Sequence, residues 1–156
     1  MDIAGHVDVK KLVVQTLIKD IMKYPPIVLH EDDKFHLVEK TLRESHIKHL
    51  PVVNDKKVLV GLITLSDLYR TCSPKKNLKE GGHFYVTEEL DKFILSFVMS
   101  KNPNTLRADN TLMDALNMMV TGGFGCVPIV DDKGMIVGIV TQTDLIRSVT
   151  LLLRQD

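Results

Sequence analysis

The sequence predicts an α/β fold made of two copies of one β-α-β-β-α unit. Three observations predict it. The second half of the chain repeats the first at a constant offset, each copy carries a helical apolar stripe, and each carries two short apolar strands joined by a polar turn. With 156 residues, the chain is about the size of one domain, since domains hold ~100–200 residues. We therefore expect one compact module in place of two independent domains.

The repeat is clearest in two similar segments, His49–Val53 and Cys126–Val130, which read HLPVV and CVPIV. Their prolines, Pro51 and Pro128, are 77 positions apart (51 to 128). No gap is needed in this register over the whole of 22–72, so chance does not explain it. Identical pairs at the same offset include Met22 and Met99, Pro26 and Pro103, Gly61 and Gly138, Thr64 and Thr141, Asp67 and Asp144, and Arg70 and Arg147.

Each copy follows the same order of elements. An extended stretch (27–29 and 104–106) precedes a helix whose apolar residues recur every three or four positions. Two strands follow, separated by a turn of Asn, Asp, Lys and Gly residues, and a last helix opens at Thr64 or Thr141. The second strand is a continuous β-branched run, which is typical of a strand covered on both faces. The predicted strands are 50–53, 58–63, 127–130 and 135–140.

Further amphipathic helices are predicted at Val9–Ile21 and Glu88–Val98, and Lys75–Gly82 is the most loop-like stretch. These elements predict the organisation of the chain. It comprises an N-terminal helical segment (1–21), a first repeat (18–72), a connector with a helix (73–92), a second repeat (93–149) and the tail of the last helix (150–156).

Composition excludes several classes of function. The chain has 20 Lys and Arg against 20 Asp and Glu, and this zero net charge makes nucleic-acid binding by bulk charge unexpected. Apolar runs such as Val58–Leu65 are too short to span a membrane, and Met1–His6 does not resemble a signal peptide. Two distant cysteines, Cys72 and Cys126, fit a reducing, cytoplasmic location.

One motif occurs twice at the junction of a predicted strand and helix. The segments 61–67 and 138–144 both read G-h-h-T-x-[ST]-D, where h is apolar. Thr and Asp three residues apart form a capping box, in which loss of the acid costs about 0.3–1 kcal/mol. The same groups suit a nucleoside phosphate, because free N–H groups at a helix start attract phosphate and a carboxylate accepts from ribose hydroxyls. Sequence alone leaves both interpretations open.

In its motifs the chain resembles a tandem pair of CBS domains, often called a Bateman module. The resemblance extends from about Ile18 to Val149 and consists of Met…Pro, LPVV or VPIV, an acidic turn and the final G-h-h-T-x-[ST]-D-L, each present twice in order. It implies two repeats packed about a pseudo-twofold axis, with clefts for adenosyl ligands. AMP, ADP or ATP is the expected ligand, ahead of S-adenosylmethionine or NAD. Such modules are sensors with no cofactor and usually no catalysis of their own.

The resemblance also implies two crossed sites, each taking residues from both repeats. The Asp and hydroxyl residues would face the ribose and phosphate, and the residues before the proline and in the first strand would line the base. Site 1 would consist of Ile27, Ile47, Lys48, His49, Thr141, Thr143 and Asp144. Site 2 would consist of Asn104, Phe124, Gly125, Cys126, Thr64, Ser66 and Asp67.

We expect site 1 to be the stronger, because Lys48 and His49 offer cations to an anionic ligand whereas Gly125 and Cys126 offer none. Phe124 either stacks on a base or fills the core, and Lys48 and His49 are either ligand contacts or ordinary solvated side chains.

The alternative to a ligand sensor is a structural or interaction module with empty clefts. We expect no enzyme, since no catalytic triad, P-loop or metal motif appears. The pattern at His46 and His49 lacks further metal ligands, and no base accompanies the Cys126 thiol. Apolar side chains in Leu145–Leu153 and Val9–Ile21 predict a homodimer. The sequence does not identify any regulated partner protein.

Overall fold

The structure is a computed structural model that describes residues 8–76 and 83–154. Its helices and strands, in chain order, are α1 (Val9–Gln15), β1 (Leu29–His30), α2 (His36–Glu44), β2 (His49–Val53), β3 (Leu59–Thr64), α3 (Leu65–Thr71), β4 (Lys75–Lys76), β5 (His83–Phe84), α4 (Thr87–Leu90), α5 (Leu95–Val98), β6 (Ser100–Lys101), α6 (Leu112–Gly122), β7 (Cys126–Val130), β8 (Ile136–Thr141) and α7 (Gln142–Leu152).

The chain divides into two compact units, and each contains one copy of the repeat. The first-repeat unit is Ile27–Pro103, and the second-repeat unit takes the chain up to Pro26 and from Asn104 onward. The segment that precedes each copy therefore belongs to the unit of the other copy. The predicted β-α-β-β-α order is complete in the first copy, as β1-α2-β2-β3-α3. In the second copy α6, β7, β8 and α7 follow the same order, but the predicted extended stretch 104–106 is reduced to one residue, Leu106, which bridges Ile129 in parallel.

The first-repeat unit is built on a four-stranded sheet in the order β1-β2-β3-β6. Strand β1 is parallel to β2, and the other pairs are antiparallel. Helices α2 and α3 pack against β2, β3 and each other, because their apolar stripes need burial. Each fully buried apolar side chain contributes about 1.5–3 kcal/mol. The buried core includes Phe35, Val38, Leu42, Leu50, Val52, Ile63, Leu68, Leu90, Leu95 and Met99.

The second-repeat unit has the same arrangement, but single bridging residues replace the two edge strands. Strands β7 and β8 form an antiparallel hairpin, Leu106 bridges Ile129 in parallel, and Lys23 bridges Ile139 in antiparallel fashion. Helix α6 packs against β7, α7 packs against β8, and α1 packs against both of these helices. The core includes Val13, Ile18, Leu106, Leu112, Ala115, Met119, Val127, Ile129, Val140 and Leu145.

The segments outside the repeats differ from the prediction in length. The predicted helix Val9–Ile21 ends at Gln15, and Ile18–Asp20 forms a 3-10 turn. The chain leaves the α-helix there because the backbone N–H groups of Ile18 and Lys19 donate to carbonyls of residues 110 and 108. These tertiary hydrogen bonds replace those of a longer helix.

The predicted helix Glu88–Val98 is two short helices, α4 and α5. The break has a tertiary cause: Ile94 forms a bridge with Lys34, and the Asp91 carboxylate accepts a hydrogen bond from the His36 backbone N–H at 3.0 Å. In the predicted loop Lys75–Gly82, strand β4 pairs with β5, and 77–82 lies outside the described residues.

Candidate functional site

The repeated motif forms a complete capping box at the start of both α3 and α7. The Asp67 Oδ2 atom accepts hydrogen bonds from the Thr64 backbone N–H at 2.8 Å and the Thr64 hydroxyl at 2.7 Å. The Asp144 Oδ2 atom accepts from the same two groups of Thr141 at 2.9 and 2.6 Å. One oxygen of each carboxylate is therefore committed to holding the helix start.

The other oxygen of each carboxylate contacts a cation. The Asp144 Oδ1 atom lies 3.1 Å from Lys23 Nζ, and Asp67 Oδ1 accepts a hydrogen bond from Arg70. Both Asp side chains are buried, with residue exposures of 5% for Asp67 and 4% for Asp144. Such carboxylates remain charged only when they are well paired.

The pairing of Asp144 outweighs its burial. Burial by itself raises the pKa of this carboxyl, but hydrogen bonds from Thr141 and from Lys23 favour the anion and hold the pKa below its ordinary value. Asp144 is therefore an anion at neutral pH. It offers a fixed negative acceptor at the start of a helix, next to the Thr141 hydroxyl.

Two methionine–glycine pairs explain further matches in the repeat. The Cβ that alanine would add at Gly138 would lie 2.5 Å from Met22 Sδ, and at Gly61 it would lie 2.3 Å from Met99 Sδ. Only glycine leaves room for the thioether against the strand. In the second-repeat unit this packing positions Lys23, the residue that contacts Asp144. The bridge from Lys23 to Ile139 holds the same segment.

Lys48 and His49, the residues just before Pro51, lie beside the start of α3. The Leu65 backbone N–H donates to the Lys48 carbonyl at 2.9 Å, and His49 is the register partner of Thr64. Burial, and then the neighbouring Lys48, lower the pKa of His49, so this imidazole is neutral at pH 7. Lys48 is exposed and is the cation here.

A cavity of about 430 Å³ opens next to these residues in the first-repeat unit. Its lining combines basic and aromatic side chains with apolar ones and one acid, Glu39, which is paired with Arg43. It includes Arg43, His46, Ile47, Lys48, Tyr69 and Tyr85. Ile47 and Lys48, which are neighbours in the sequence, both line this cavity. The predicted site residues Ile27, which is 45% exposed, and His49 do not line it.

The corresponding loop of the second repeat is held in the same way. The Gln142 backbone N–H donates to the Gly125 carbonyl at 3.1 Å, and the Gln142 side chain donates to the Phe124 carbonyl at 3.2 Å. A cavity of about 510 Å³ lies next to Phe124. It brings together Asn104 and Phe124 of predicted site 2 with Asn110, Asp114, Asn117 and Thr121.

The halves of the two predicted sites lie in different units. Ile27, Ile47, Lys48 and His49 of site 1 belong to the first-repeat unit, whereas Thr141, Thr143 and Asp144 belong to the second. Site 2 is divided in the converse way. The hydroxyl-bearing residues Ser66 and Thr143 are exposed in the first turn of α3 and α7. The crossed combination of these halves is a proposal.

Cysteine and metal chemistry are not supported by the described residues. Both cysteines are free, and burial raises the pKa of the Cys126 thiol to about 12, so it is protonated and unreactive at neutral pH. Within 8–76 and 83–154 no group of three or more His, Cys, Asp or Glu side chains could hold a metal ion. In the same ranges no helix is long and apolar enough to cross a membrane.

Sequence reasoning missed two residues that contact the motif carboxylates, Lys23 and Arg70. The three-residue spacing between Asp67 and Arg70 on one helix is a usable signal for their contact. Lys23 gives no such signal, because most of the chain separates it from Asp144. Only the folded second-repeat unit shows that they meet.

Comparison with known proteins finds the CBS domain family model at residues 18–73 and 95–150. Protein MJ1426 of Methanocaldococcus jannaschii is 34% identical over 152 residues, which cover 85% of this chain and 90% of that protein. The L-aspartate semialdehyde sulfurtransferase of the same organism is 32% identical over 133 residues. The match covers 85% of this chain but only 23% of the sulfurtransferase, so that enzyme's name does not describe this chain.

Solved structures match over nearly the whole chain. The CBS domain pair of protein MJ0100, in complex with 5′-methylthioadenosine and S-adenosyl-L-methionine, is 30% identical with a TM-score of 0.68. The match covers 85% of this chain and 98% of that one. CBSX2 from Arabidopsis thaliana, solved in complex with AMP, is 22% identical with a TM-score of 0.73, over 89% of this chain and 99% of that chain, and supports the fold alone. The predicted fold and resemblance are confirmed: the chain belongs to the CBS domain family and contains a pair of CBS domains.

Proposed function

We propose that this chain is a regulatory sensor that binds an adenosine nucleotide and performs no catalysis of its own. The observation that carries the proposal is the repeated buried carboxylate, with one oxygen held by the helix cap and the other beside a cation. A carboxylate oxygen at a helix start can accept from ribose hydroxyls, while nearby hydroxyls and cations suit phosphate. The bound 5′-methylthioadenosine and S-adenosyl-L-methionine of the MJ0100 pair support an adenosyl ligand.

Site 1 is the stronger of the two proposed sites. It combines Asp144, Thr141 and Thr143 with Ile27, Ile47, Lys48 and His49. Because the pKa of His49 is lowered, Lys48 supplies the charge for the phosphate and His49 supplies only a neutral imidazole.

Site 2 combines Asp67, Thr64 and Ser66 with Asn104, Phe124, Gly125 and Cys126. Phe124 and Asn104 line one cavity, which supports their contact with a base. Neither Gly125 nor Cys126 offers a cation to a phosphate, so nucleotides should bind less tightly at site 2 than at site 1.

Calorimetric titration with AMP, ADP, ATP, S-adenosylmethionine and NAD tests the proposal. Loss of a charge-assisted hydrogen bond is worth about 1.5–3 kcal/mol, so Asp144→Asn should weaken AMP or ATP binding by roughly ten- to over a hundredfold. Asparagine is a matched change, since its amide oxygen can still accept the Thr141 backbone N–H in the capping box while the charge is lost. Asp67→Asn should have a smaller effect. If the parent chain binds no adenosyl compound below millimolar concentration, the proposal is wrong.

Lys48→Ala separates phosphate recognition from ribose recognition. Because only a phosphate loses its partner, AMP binding should weaken more than adenosine binding in the same titration. Equal weakening of both ligands would show that Lys48 does not meet the phosphate.

We also propose a homodimer. The C-terminal helix buries Leu145, but it leaves Ile146 and Leu151 exposed, with fractions of 67% and 56%, and Leu153 beyond its end is 54% exposed. Apolar side chains left together on one helix are typical of a protein interface. Light scattering should give two chain masses for the parent and one for Ile146→Glu. A parent mass of one chain at tens of micromolar would reject the dimer.

The same exposed side chains favour a second candidate function, a ligand-free module that docks on a regulated protein. The two candidate functions predict different Tm values in the presence of ligands, because a ligand that binds only the folded chain raises its Tm. A flat Tm across the ligand panel, with a dimer by light scattering, would favour the docking module. The two free cysteines support a cytoplasmic location as part of either proposal.

A further inference from the structure

Lys23 makes an ion pair with the motif carboxylate of the second repeat. Its Nζ atom is 3.1 Å from Asp144 Oδ1, the oxygen that the capping box does not use. The Lys23 side chain is 56% exposed, whereas that of Asp144 is 4% exposed. A largely solvent-exposed ammonium group is thus paired with a buried anion.

The backbone of Lys23 is fixed although its side chain is exposed. Its N–H donates to the Ile139 carbonyl at 2.9 Å, and the Ile139 N–H donates back at 3.1 Å. The preceding Met22 is held against Gly138. The side chain can therefore swing about a fixed point at the edge of β8 and release the carboxylate without disturbing the sheet.

The two repeats differ at this position. Ser100 stands 77 positions after Lys23 and pairs with Leu62 of β3, as Lys23 pairs with Ile139 of β8. The first-repeat carboxylate Asp67 instead receives Arg70 from its own helix. Only in the second repeat does a cation from the strand-edge segment reach the motif carboxylate.

We propose that the Lys23 ammonium group occupies Asp144 Oδ1 until a ligand displaces it, and that this pairing makes the site select anionic ligands over neutral ones. The inference rests on the proposed nucleotide site at Asp144. A ligand whose hydroxyls take Asp144 Oδ1 displaces the ammonium group. A neutral nucleoside leaves that group without its partner, whereas a nucleotide supplies a phosphate to receive it.

The test measures the ratio of adenosine Kd to AMP Kd by calorimetry. In Lys23→Met this ratio should fall by about tenfold, the equivalent of one charge-assisted hydrogen bond. Lys23→Arg should keep the parent ratio, because it retains the charge. Lys19→Met, an exposed lysine four positions earlier, removes the same net charge and should also keep the ratio.

A ratio in Lys23→Met within threefold of the parent would overturn the inference and make the ion pair a purely structural contact. Thermal unfolding checks that each variant is folded, and Lys23→Gln repeats the test with an uncharged donor if the Met variant is unstable. A parent chain that binds neither adenosine nor AMP would refute the proposed function itself. Binding by the parent with an unchanged ratio would refute only the role of Lys23.

Discussion

The carboxylate of Asp144 should matter more for stability than its position in a capping box suggests. Replacing it in Asp144→Ala removes the acceptor of two hydrogen bonds from Thr141, at 2.9 and 2.6 Å, and the partner of Lys23. A surface acid in the first turn of a helix is worth about 0.3–1 kcal/mol. Asp144 is buried, so this surface value is too low.

The expected loss follows from the contacts. A hydrogen bond to a charged group contributes about 1.5–3 kcal/mol net, and both bonds here share one oxygen of Asp144. The ion pair with the exposed Lys23 adds about 0–1 kcal/mol. Water can replace part of what half-buried Thr141 loses. We therefore expect Asp144→Ala to lower the free energy of unfolding by about 2–4 kcal/mol, out of the roughly 5–15 kcal/mol of a typical domain.

Asp114→Ala is the matched control. Asp114 closes the capping box of α6 with hydrogen bonds from the Thr111 N–H and hydroxyl at 2.8 and 2.9 Å, but it is only half-buried. Its loss should cost about 0.3–2 kcal/mol, the range for a charged group at a helix end from exposed to partly buried positions. Urea unfolding at a constant m value measures both. A loss for Asp144→Ala that is no greater than for Asp114→Ala would refute the argument from burial.

Three further predictions test the packing and the titration of single residues. Gly138→Ala should lower stability by about 1–3 kcal/mol, because the added Cβ lies 2.5 Å from Met22 Sδ; Met22→Ala should restore part of the loss in thermal unfolding, and an unchanged Tm in the single variant would contradict this. Burial lowers the pKa of His49, so as the pH falls the unfolded chain takes up a proton before the folded chain does. The free energy of unfolding should therefore fall below about pH 6.5, and less steeply in His49→Gln. Parallel pH profiles of the two proteins in urea unfolding would contradict this. Cys126, with a pKa of about 12, should resist modification by maleimide at about pH 8 until the chain unfolds. The half-buried Cys72 should react in the native state, and equal rates of modification at the two thiols would contradict this.

Local spacing was sufficient to predict the motif geometry. Thr64 and Asp67 are three residues apart, as are Thr141 and Asp144, and a capping box requires only this spacing at a helix start. The strands around Pro51 and Pro128 were predictable for a similar reason, since a short β-branched run between polar turns has few other solutions.

Helix lengths outside the repeats were decided by tertiary contacts. The apolar periodicity of Val9–Ile21 continues past Gln15, but the backbone N–H groups of Ile18 and Lys19 find partners in the segment before α6. The helix break at 91–94 likewise depends on contacts with the start of α2. No periodicity reports such long-range hydrogen bonds.

The sequence by itself determined the repeat, the order of strands and helices, and the two residues that close each motif cap, because all of these depend on contacts between near neighbours in the chain. Only the tertiary structure decided which cation meets Asp144 and which segment joins each unit. Lys23 contacts Asp144 because Met22 packs on Gly138 and sets that segment at the edge of β8. This pairing depends on the close approach of two distant backbones, which is fixed by the fold and leaves no local pattern in the sequence.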